Sequence, residues 1–291
     1  MTPLDALQQP LMLVPATFVL GLLVGSFLNV VILRIPVMLE RDWRRQARDI
    51  LEQPQGVGTH EGRFDLIVPG SHCPACGRAI RAWENVPVIS WLVLRGRCRG
   101  CKAAISPRYP LVELGTAIVS GVVAWYFGWG LELAAALVLT WSLIALSGID
   151  VDHQLLPDAI TLPVLWLGLA VSLAGVFATT TDAVIGAMAG YLSLWLVYHA
   201  FRLVTGKEGM GYGDFKLLAL LGAWLGWQAL PVIILMASMV GAIAGIAMIV
   251  ALGRNRELPI PFGPYLAAAG WLTLLWQDDM IAAYLRWSGL G

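Results

Sequence analysis

Charged residues are scarce in this chain, because Asp, Glu, Lys and Arg together make up only 13% of its 291 residues. A soluble domain carries roughly 25%. Hydrophobic residues account for 58% of the sequence, and the mean hydropathy is +0.73. This composition excludes an ordinary soluble protein and predicts an all-α polytopic membrane protein.

Features of a cleaved signal peptide are missing around the first apolar run, Leu11 to Leu33. No basic segment precedes the run, and no small-residue cleavage site closes it. An apolar helix of this length can cross a hydrocarbon core of about 30 Å. We therefore predict a retained transmembrane helix.

Seven further apolar runs follow, so the sequence predicts about eight transmembrane helices. Together they cover residues 11–33, 111–128, 131–149, 159–177, 182–203, 215–228, 230–252 and 264–285.

Basic residues concentrate between the first two runs. Residues 34–109 hold 13 of the 19 Lys and Arg residues but only 7 of the 19 acidic residues, a net charge of +6. The positive-inside rule places such a segment in the cytoplasm. Following the predicted helices from there puts three loops on the same side: 150–158, 204–214 and 253–263.

We expect three regions in the chain. They are a first transmembrane helix (1–36), a cytoplasmic domain (37–109) that includes a short amphipathic helix over 42–51, and a seven-helix membrane domain (110–291). Membrane lipid is the expected surrounding partner, and no nucleic acid partner is expected.

Only four cysteines are present, and they form two C-x2-C pairs, Cys73/Cys76 and Cys98/Cys101, separated by 21 residues. This spacing is close to that of a four-cysteine zinc site. Two disulfides are the alternative, but the cytoplasm keeps thiols reduced. We predict structural zinc without a catalytic role, with Gly77 and Gly100 permitting the tight turns.

Three glycines lead into a single aspartate in the stretch Gly209 to Leu217, and an apolar run follows. An ionisable group at membrane depth is expensive, so Asp214 is a functional candidate. A helix N-cap is the alternative for this aspartate.

A second acidic loop on the same predicted membrane face contains Asp150, Asp152 and Asp158. Two neighbouring carboxyls can share one proton, so that one activates a water molecule while the other polarises a carbonyl. The chemistry alone does not choose between Asp150 and Asp152, and Asp158 also suits a helix N-cap.

Polar residues also occur in the membrane runs near this face. Gly25, Ser26 and Asn29 share one face of the first helix, which favours either a helix–helix contact or a polar wall of a site. Glu113, at the start of the second run, is interpreted as a partner of the helix dipole, with a catalytic role as the alternative.

Several motifs, in order over nearly the whole chain, resemble the bacterial type IV prepilin peptidases (leader peptidase/N-methyltransferase), which are GxGD-type intramembrane aspartyl proteases. The matching segments are Gly25–Pro36, the two C-x2-C pairs, Glu84–Pro87, Tyr109–Glu113, Ile149–Asp158, Gly209–Leu217 and Pro261–Pro264.

The resemblance implies cleavage of the leader of prepilins or pseudopilins at the cytoplasmic side of the bacterial inner membrane. It makes Asp150 and Asp214 the catalytic pair, with Gly211 and Gly213 giving room to the substrate backbone. It also implies methylation of the new N-terminus from S-adenosylmethionine, with which Gly96 is associated. No G-x-G-x-x-G element follows a strand, so a Rossmann-type cofactor site is not supported.

Three alternatives remain from the sequence. A peptidase without methyltransferase activity is the nearest of them. A proton or ion transporter would need polar residues along several helices, whereas these aspartates gather at one face. A non-enzymatic assembly factor would use the cysteine segment for docking.

Overall fold

The computed structural model describes residues 9–51, 62–207, 209–252 and 261–289. Within these ranges there is no β-strand, only two isolated antiparallel bridges, which confirms the predicted all-α fold. The α-helices are α1 Pro10–Ile50, α2 Ile89–Val93, α3 Arg108–Phe127, α4 Leu131–His153, α5 Asp158–Ser172, α6 Thr180–Thr205, α7 Tyr212–Leu225, α8 Leu230–Leu252 and α9 Gly263–Ser288.

Five of the described helical segments are long and apolar enough to cross a membrane: α1, α3, α4, α6 and Trp227–Met248. Helix α5 is apolar but has 15 residues, and α7 has 14. A multi-pass protein is therefore supported, while the count of eight transmembrane helices stays a prediction. Most of the predicted cytoplasmic loop 253–263 lies outside the described residues.

Helix α1 is longer than predicted. The expected transmembrane helix and the expected amphipathic helix over 42–51 form one helix that runs through Pro36. Proline usually kinks or breaks a helix interior. Two residues before Pro36, the Arg34 guanidinium donates to the carbonyls of Asp65 (2.9 Å) and Pro69 (2.6 Å), which ties this part of α1 to the following segment.

The chain divides into two compact units, residues 1–125 and 126–291. The first unit contains α1, most of α3 and the cysteine segment, so α3 groups with the segment before it and not with the predicted membrane domain. A Cβ on Gly25 would lie 2.8 Å from the Cα of Glu113, and a Cβ on Gly21 would lie 2.7 Å from the Cα of Ala117. Small residues thus let α1 and α3 approach closely.

Helix α7 is the central element of the second unit. Phe215 and every residue from Leu217 to Leu225 are buried. A Cβ on Gly186 of α6 would overlap the Gly222 carbonyl, and one on Gly168 of α5 would overlap the Trp224 indole. That indole also donates to the Val164 carbonyl at 2.8 Å. Neighbouring helices therefore enclose α7 at close range.

We predict that Gly222→Ala destabilises the second unit, because the new methyl would overlap the backbone of Gly186. Overpacking of this kind costs about 1–3 kcal/mol, which thermal unfolding in detergent would detect as a lower Tm. Gly115→Ala is the matched control, because no atom lies within 4 Å of its Cβ position. Equal shifts in both variants would contradict this account of the packing.

Candidate active site and metal centre

Asp150 lies in the last turn of α4 and is only 5% exposed. Its Oδ2 accepts a hydrogen bond of 3.0 Å from the backbone amide of Gly263, the first residue of α9. A Cβ on Gly263 would lie 2.7 Å from that same oxygen. Glycine at this position therefore allows the amide to reach the buried carboxylate.

Asp214 is the third residue of α7 and is 8% exposed. The N-cap position is occupied by Gly211, so the N-cap interpretation of Asp214 is wrong. The Gly211 amide is a hydrogen-bond donor to the Asp214 carboxyl, and Asp150 acts on that carboxyl electrostatically. The two buried aspartates thus belong to one site, although 64 residues separate them in sequence.

Leu156 packs between the segments that carry the two aspartates. A Cβ on Gly213 would lie 2.8 Å from Leu156 Cβ, and a Cβ on Gly263 would lie 3.2 Å from Leu156 Cδ2. This contact gives Gly213 a packing role. Gly211 is different, because a Cβ there would meet only Asp214 Oδ2, at 3.9 Å, and the Gly213 amide nitrogen, at 4.0 Å.

The other two acids of the second loop lie outside this pair. Asp152 is exposed. Asp158 is the first residue of α5, not its N-cap, and its two oxygens accept from Lys216 Nζ at 2.7 and 2.8 Å. Of the three candidates, only Asp150 is buried beside Asp214.

Sequence reasoning missed the roles of Gly263 and Leu156, although both fall within the motifs that carried the resemblance. It also missed Tyr198 of α6, which is 3% exposed and packs against the rings of Tyr212 and Phe215. These contacts hold the first turn of α7. A long-range contact leaves no periodic signal in a single sequence, so no pattern pointed to these roles.

The four cysteines converge, as the spacing predicted. All are free of disulfides, and their sulfur atoms lie within 4.8 Å of one another. The Cys73 and Cys101 sulfurs are 3.8 Å apart. Tetrahedral zinc with Zn–S distances near 2.3 Å requires sulfur separations of about 3.8 Å. The cluster therefore fits a four-thiolate zinc ion, with no position left open for a substrate.

The surroundings of the cluster shift the pKa values of two of its thiols in opposite directions. Backbone amides of Cys101 and Gly100 lower the pKa of the Cys98 thiol to about 6. The Ala103 amide lowers the pKa of Cys101, but hydrogen bonding to Cys76 and burial outweigh it and bring that pKa to about 11. A bound metal cation favours the thiolate form of every ligand.

The two knuckles repeat one backbone pattern. The amides of Cys73 and Cys98 donate to the carbonyls of Arg78 (2.9 Å) and Ala103 (2.8 Å), respectively. The residue four positions after the first cysteine of each knuckle has positive φ, Gly77 at +69° and Lys102 at +63°. The prediction for Gly77 is confirmed, whereas Gly100 does not supply the turn of the second knuckle.

Glu84 connects the knuckles. Its carboxylate accepts from Arg78 at 2.9 and 3.1 Å and from Arg99 at 3.3 Å, and its side chain is 6% exposed. The hydrogen bonds from Arg78 lower the pKa of Glu84 below its ordinary value, against the effect of burial. One buried carboxylate thus holds an arginine from each knuckle.

Gly96 precedes the second knuckle with φ of +65°. A Cβ there would lie 2.9 Å from Trp91 Cζ2. The Trp91 indole donates to the Ile105 carbonyl at 3.1 Å, and the Ile105 amide donates to the Gly96 carbonyl at 2.7 Å. Gly96 is therefore both a turn residue and the support for one side of the Trp91 ring.

These features define an all-helical, multi-pass membrane protein with a buried aspartate pair and a four-cysteine cluster. Residues 19–127 match the family described as "Bacterial Peptidase A24 N-terminal domain", and residues 137–246 match the "Type IV leader peptidase family". The chain belongs to this family, which confirms the resemblance. It is accordingly a multi-pass protein of the bacterial inner membrane.

Curated relatives match over nearly the whole chain. The "Prepilin leader peptidase/N-methyltransferase" of Stutzerimonas stutzeri is 58% identical and covers 100% of both chains. The proteins of the same name from Pseudomonas aeruginosa and Aeromonas hydrophila are 56% and 58% identical, covering 97% and 92% of each chain. No solved structure gives a significant match.

We predict that the purified protein carries about one zinc ion per chain, and that Cys98→Ser removes it because three thiolates hold zinc less tightly than four. Metal analysis by mass spectrometry measures the content. His72→Ala is the control, since His72 is adjacent to Cys73 but outside the cluster. Unchanged zinc in Cys98→Ser, or disulfides in the native protein, would disprove the assignment.

Proposed function

We propose that this chain cleaves the leader from type IV prepilins or pseudopilins with Asp150 and Asp214 as the catalytic pair, and that it then methylates the new N-terminus. The observation that carries the peptidase assignment is the burial of both aspartates in one site, with the Gly263 amide on Asp150. Family membership and the names of the relatives support the same activities.

Two close carboxyls can share one proton, since like charges in contact do not both ionise. The ionised carboxyl takes a proton from water as the water oxygen bonds to the scissile carbonyl carbon, while the protonated one donates to the carbonyl oxygen. The C–N bond of the resulting tetrahedral intermediate then breaks. The leaving amine receives a proton as the carboxylic acid product forms, and the pair regains its single shared proton.

The cytoplasmic side is proposed from charge and topology. A prepilin presents a basic leader to the cytoplasm and an apolar helix to the bilayer, so its scissile bond lies at the interface. Following the helices from the basic segment 34–109 places both aspartate motifs at that interface. Gly211 leaves open space beside Asp214, which suits the approach of an extended substrate backbone. Gly213 has a different role, because the absence of a side chain there lets Leu156 pack beside Asp214.

The methyltransferase activity is proposed for the first unit. S-adenosylmethionine, when bound, would supply an electrophilic methyl group to the amine nitrogen, its sulfur would leave as a neutral thioether, and the amine would lose one proton. The match of residues 19–127 to the N-terminal domain family supports a distinct role for this unit. Zinc would cross-link the knuckles, and Gly96 would act by holding Trp91 in place.

We expect Asp150→Asn and Asp214→Asn each to abolish leader cleavage, because neither variant retains two carboxyls. Asp152→Asn, the exposed neighbour, should keep the wild-type rate. Gel analysis of a purified prepilin incubated with each variant in detergent provides the measurement. Methylation of a synthetic peptide with the mature N-terminus reports whether a variant is folded. Cleavage by either asparagine variant, at any substantial rate, would refute the pair.

Gly96→Ala should reduce methylation strongly and leave cleavage unchanged. The new methyl would press on Trp91 from 2.9 Å, at a backbone φ that disfavours alanine. Mass spectrometry of the processed N-terminus distinguishes methylated from unmethylated product. Gly77→Ala, with its zinc content measured to show that the knuckle is intact, tests backbone strain alone, because Gly77 has a similar φ but no atom within 4 Å of its Cβ position. If both variants lose methylation equally, contact with Trp91 is not the reason.

A further inference from the structure

A cavity of about 460 Å³ lies in the first unit, between the cysteine segment, the middle of α1 and the start of α3. Small-molecule sites span roughly 300–1,000 Å³ and combine apolar walls with a few placed polar groups. This cavity has that character, since the residues that line it include Val30, Leu94, Trp91, Tyr109 and Glu113.

Two acidic side chains line the cavity, and they differ in their partners. Glu84 is neutralised by Arg78 and Arg99. Glu113 is 7% exposed and accepts only uncharged hydrogen bonds, from the Val88 amide at 2.7 Å and from the Ser26 hydroxyl. No described cation forms an ion pair with Glu113.

A buried carboxylate without a cation is costly, and such groups are normally paired or neutralised. Here the carboxylate faces a cavity large enough for a ligand. Other cationic groups on the wall are occupied elsewhere: Arg34 donates to the carbonyls of Asp65 and Pro69, and Arg78 donates to Glu84. The missing positive charge is therefore expected to arrive with the ligand.

The aromatic walls favour the same class of ligand. Aromatic faces attract organic cations and stack against planar heterocycles. The Trp91 ring is fixed by its hydrogen bond to Ile105 and by contact with Gly96. A sulfonium has no N–H or O–H to donate, so charge and aromatic contact are the interactions by which a protein recognises it.

We propose that this cavity binds S-adenosylmethionine and that Glu113 provides the negative charge for its sulfonium. The proposal rests on the methyltransferase activity proposed above and names the site and the recognition element for it. The expected helix-dipole role of Glu113 is thereby replaced by a ligand-binding role. Glu113 also orders the loop at Val88, whose φ of 61° is unusual for a β-branched residue.

The test compares S-adenosylmethionine with S-adenosylhomocysteine, which keeps the adenosine and amino acid groups but has a neutral thioether. Isothermal titration calorimetry on the full-length protein in detergent gives the Kd of each. Glu113→Gln should raise the Kd of S-adenosylmethionine about tenfold, or about 1.4 kcal/mol, and change that of S-adenosylhomocysteine less than threefold. Glu113→Asp, which retains the charge, should preserve much of the preference.

Equal weakening of both ligands by Glu113→Gln would mean that Glu113 only supports the structure, and it would overturn the proposal, as would no effect on either ligand. Val30→Trp tests the location independently, because the indole would fill the cavity and should abolish binding of both ligands. Unchanged binding by Val30→Trp would also overturn the proposal. Glu132→Gln is the control for the loss of one negative charge, because Glu132 is exposed and lies outside the first unit. It should leave the Kd of both ligands unchanged.

Leader cleavage and zinc content are measured on every variant to show that it is folded. Two outcomes then distinguish a failure of the cavity assignment from a failure of the proposed methyltransferase function. If the wild-type protein cleaves prepilin but neither binds S-adenosylmethionine nor methylates the product, the methyltransferase function itself fails. If the wild-type protein methylates and Glu113→Gln retains full affinity for S-adenosylmethionine, only the assignment of the cavity fails.

Discussion

The cost of placing carboxyl groups at membrane depth is the constraint on which the second unit depends. Asp214 is buried at the start of α7, and other helices enclose α7 from Leu217 to Leu225. That enclosure requires glycine where helices approach most closely, at Gly168 and Gly186 on the neighbours and Gly222 on α7. Asp150 is stabilised differently, by a single backbone amide from the start of α9.

The first unit depends on cross-links, because its cysteine segment has little regular secondary structure and a small apolar core. Such small domains need cross-links to hold a fold. Four thiols brought within 4.8 Å supply one cross-link when zinc is bound. Glu84 supplies a second by joining an arginine from each knuckle. These supports fix the segment that carries Trp91 of α2 and the following Gly96, and therefore one wall of the cavity.

The sequence was most informative where spacing along the chain determines chemistry. The four cysteines could be recognised as metal ligands because they form two C-x2-C pairs. The two aspartates could be recognised because each lies in a short motif at one end of an apolar run. Apolar runs located the helices but not their ends, since α1 continues through Pro36 to Ile50, well beyond the last residue of its apolar run. The roles of Gly263 and Leu156 depend on contacts more than 50 residues apart, which no local pattern encodes.

The contact between Leu156 and Gly213 also limits how the site can change over evolution. A Cβ at position 213 would lie 2.8 Å from the Cβ at position 156, a distance that real Cβ atoms do not tolerate. Trimming Leu156 to alanine would leave that overlap in place. With this backbone, at least one of the two positions must be glycine, so a side chain at 213 becomes accessible only after residue 156 has become glycine.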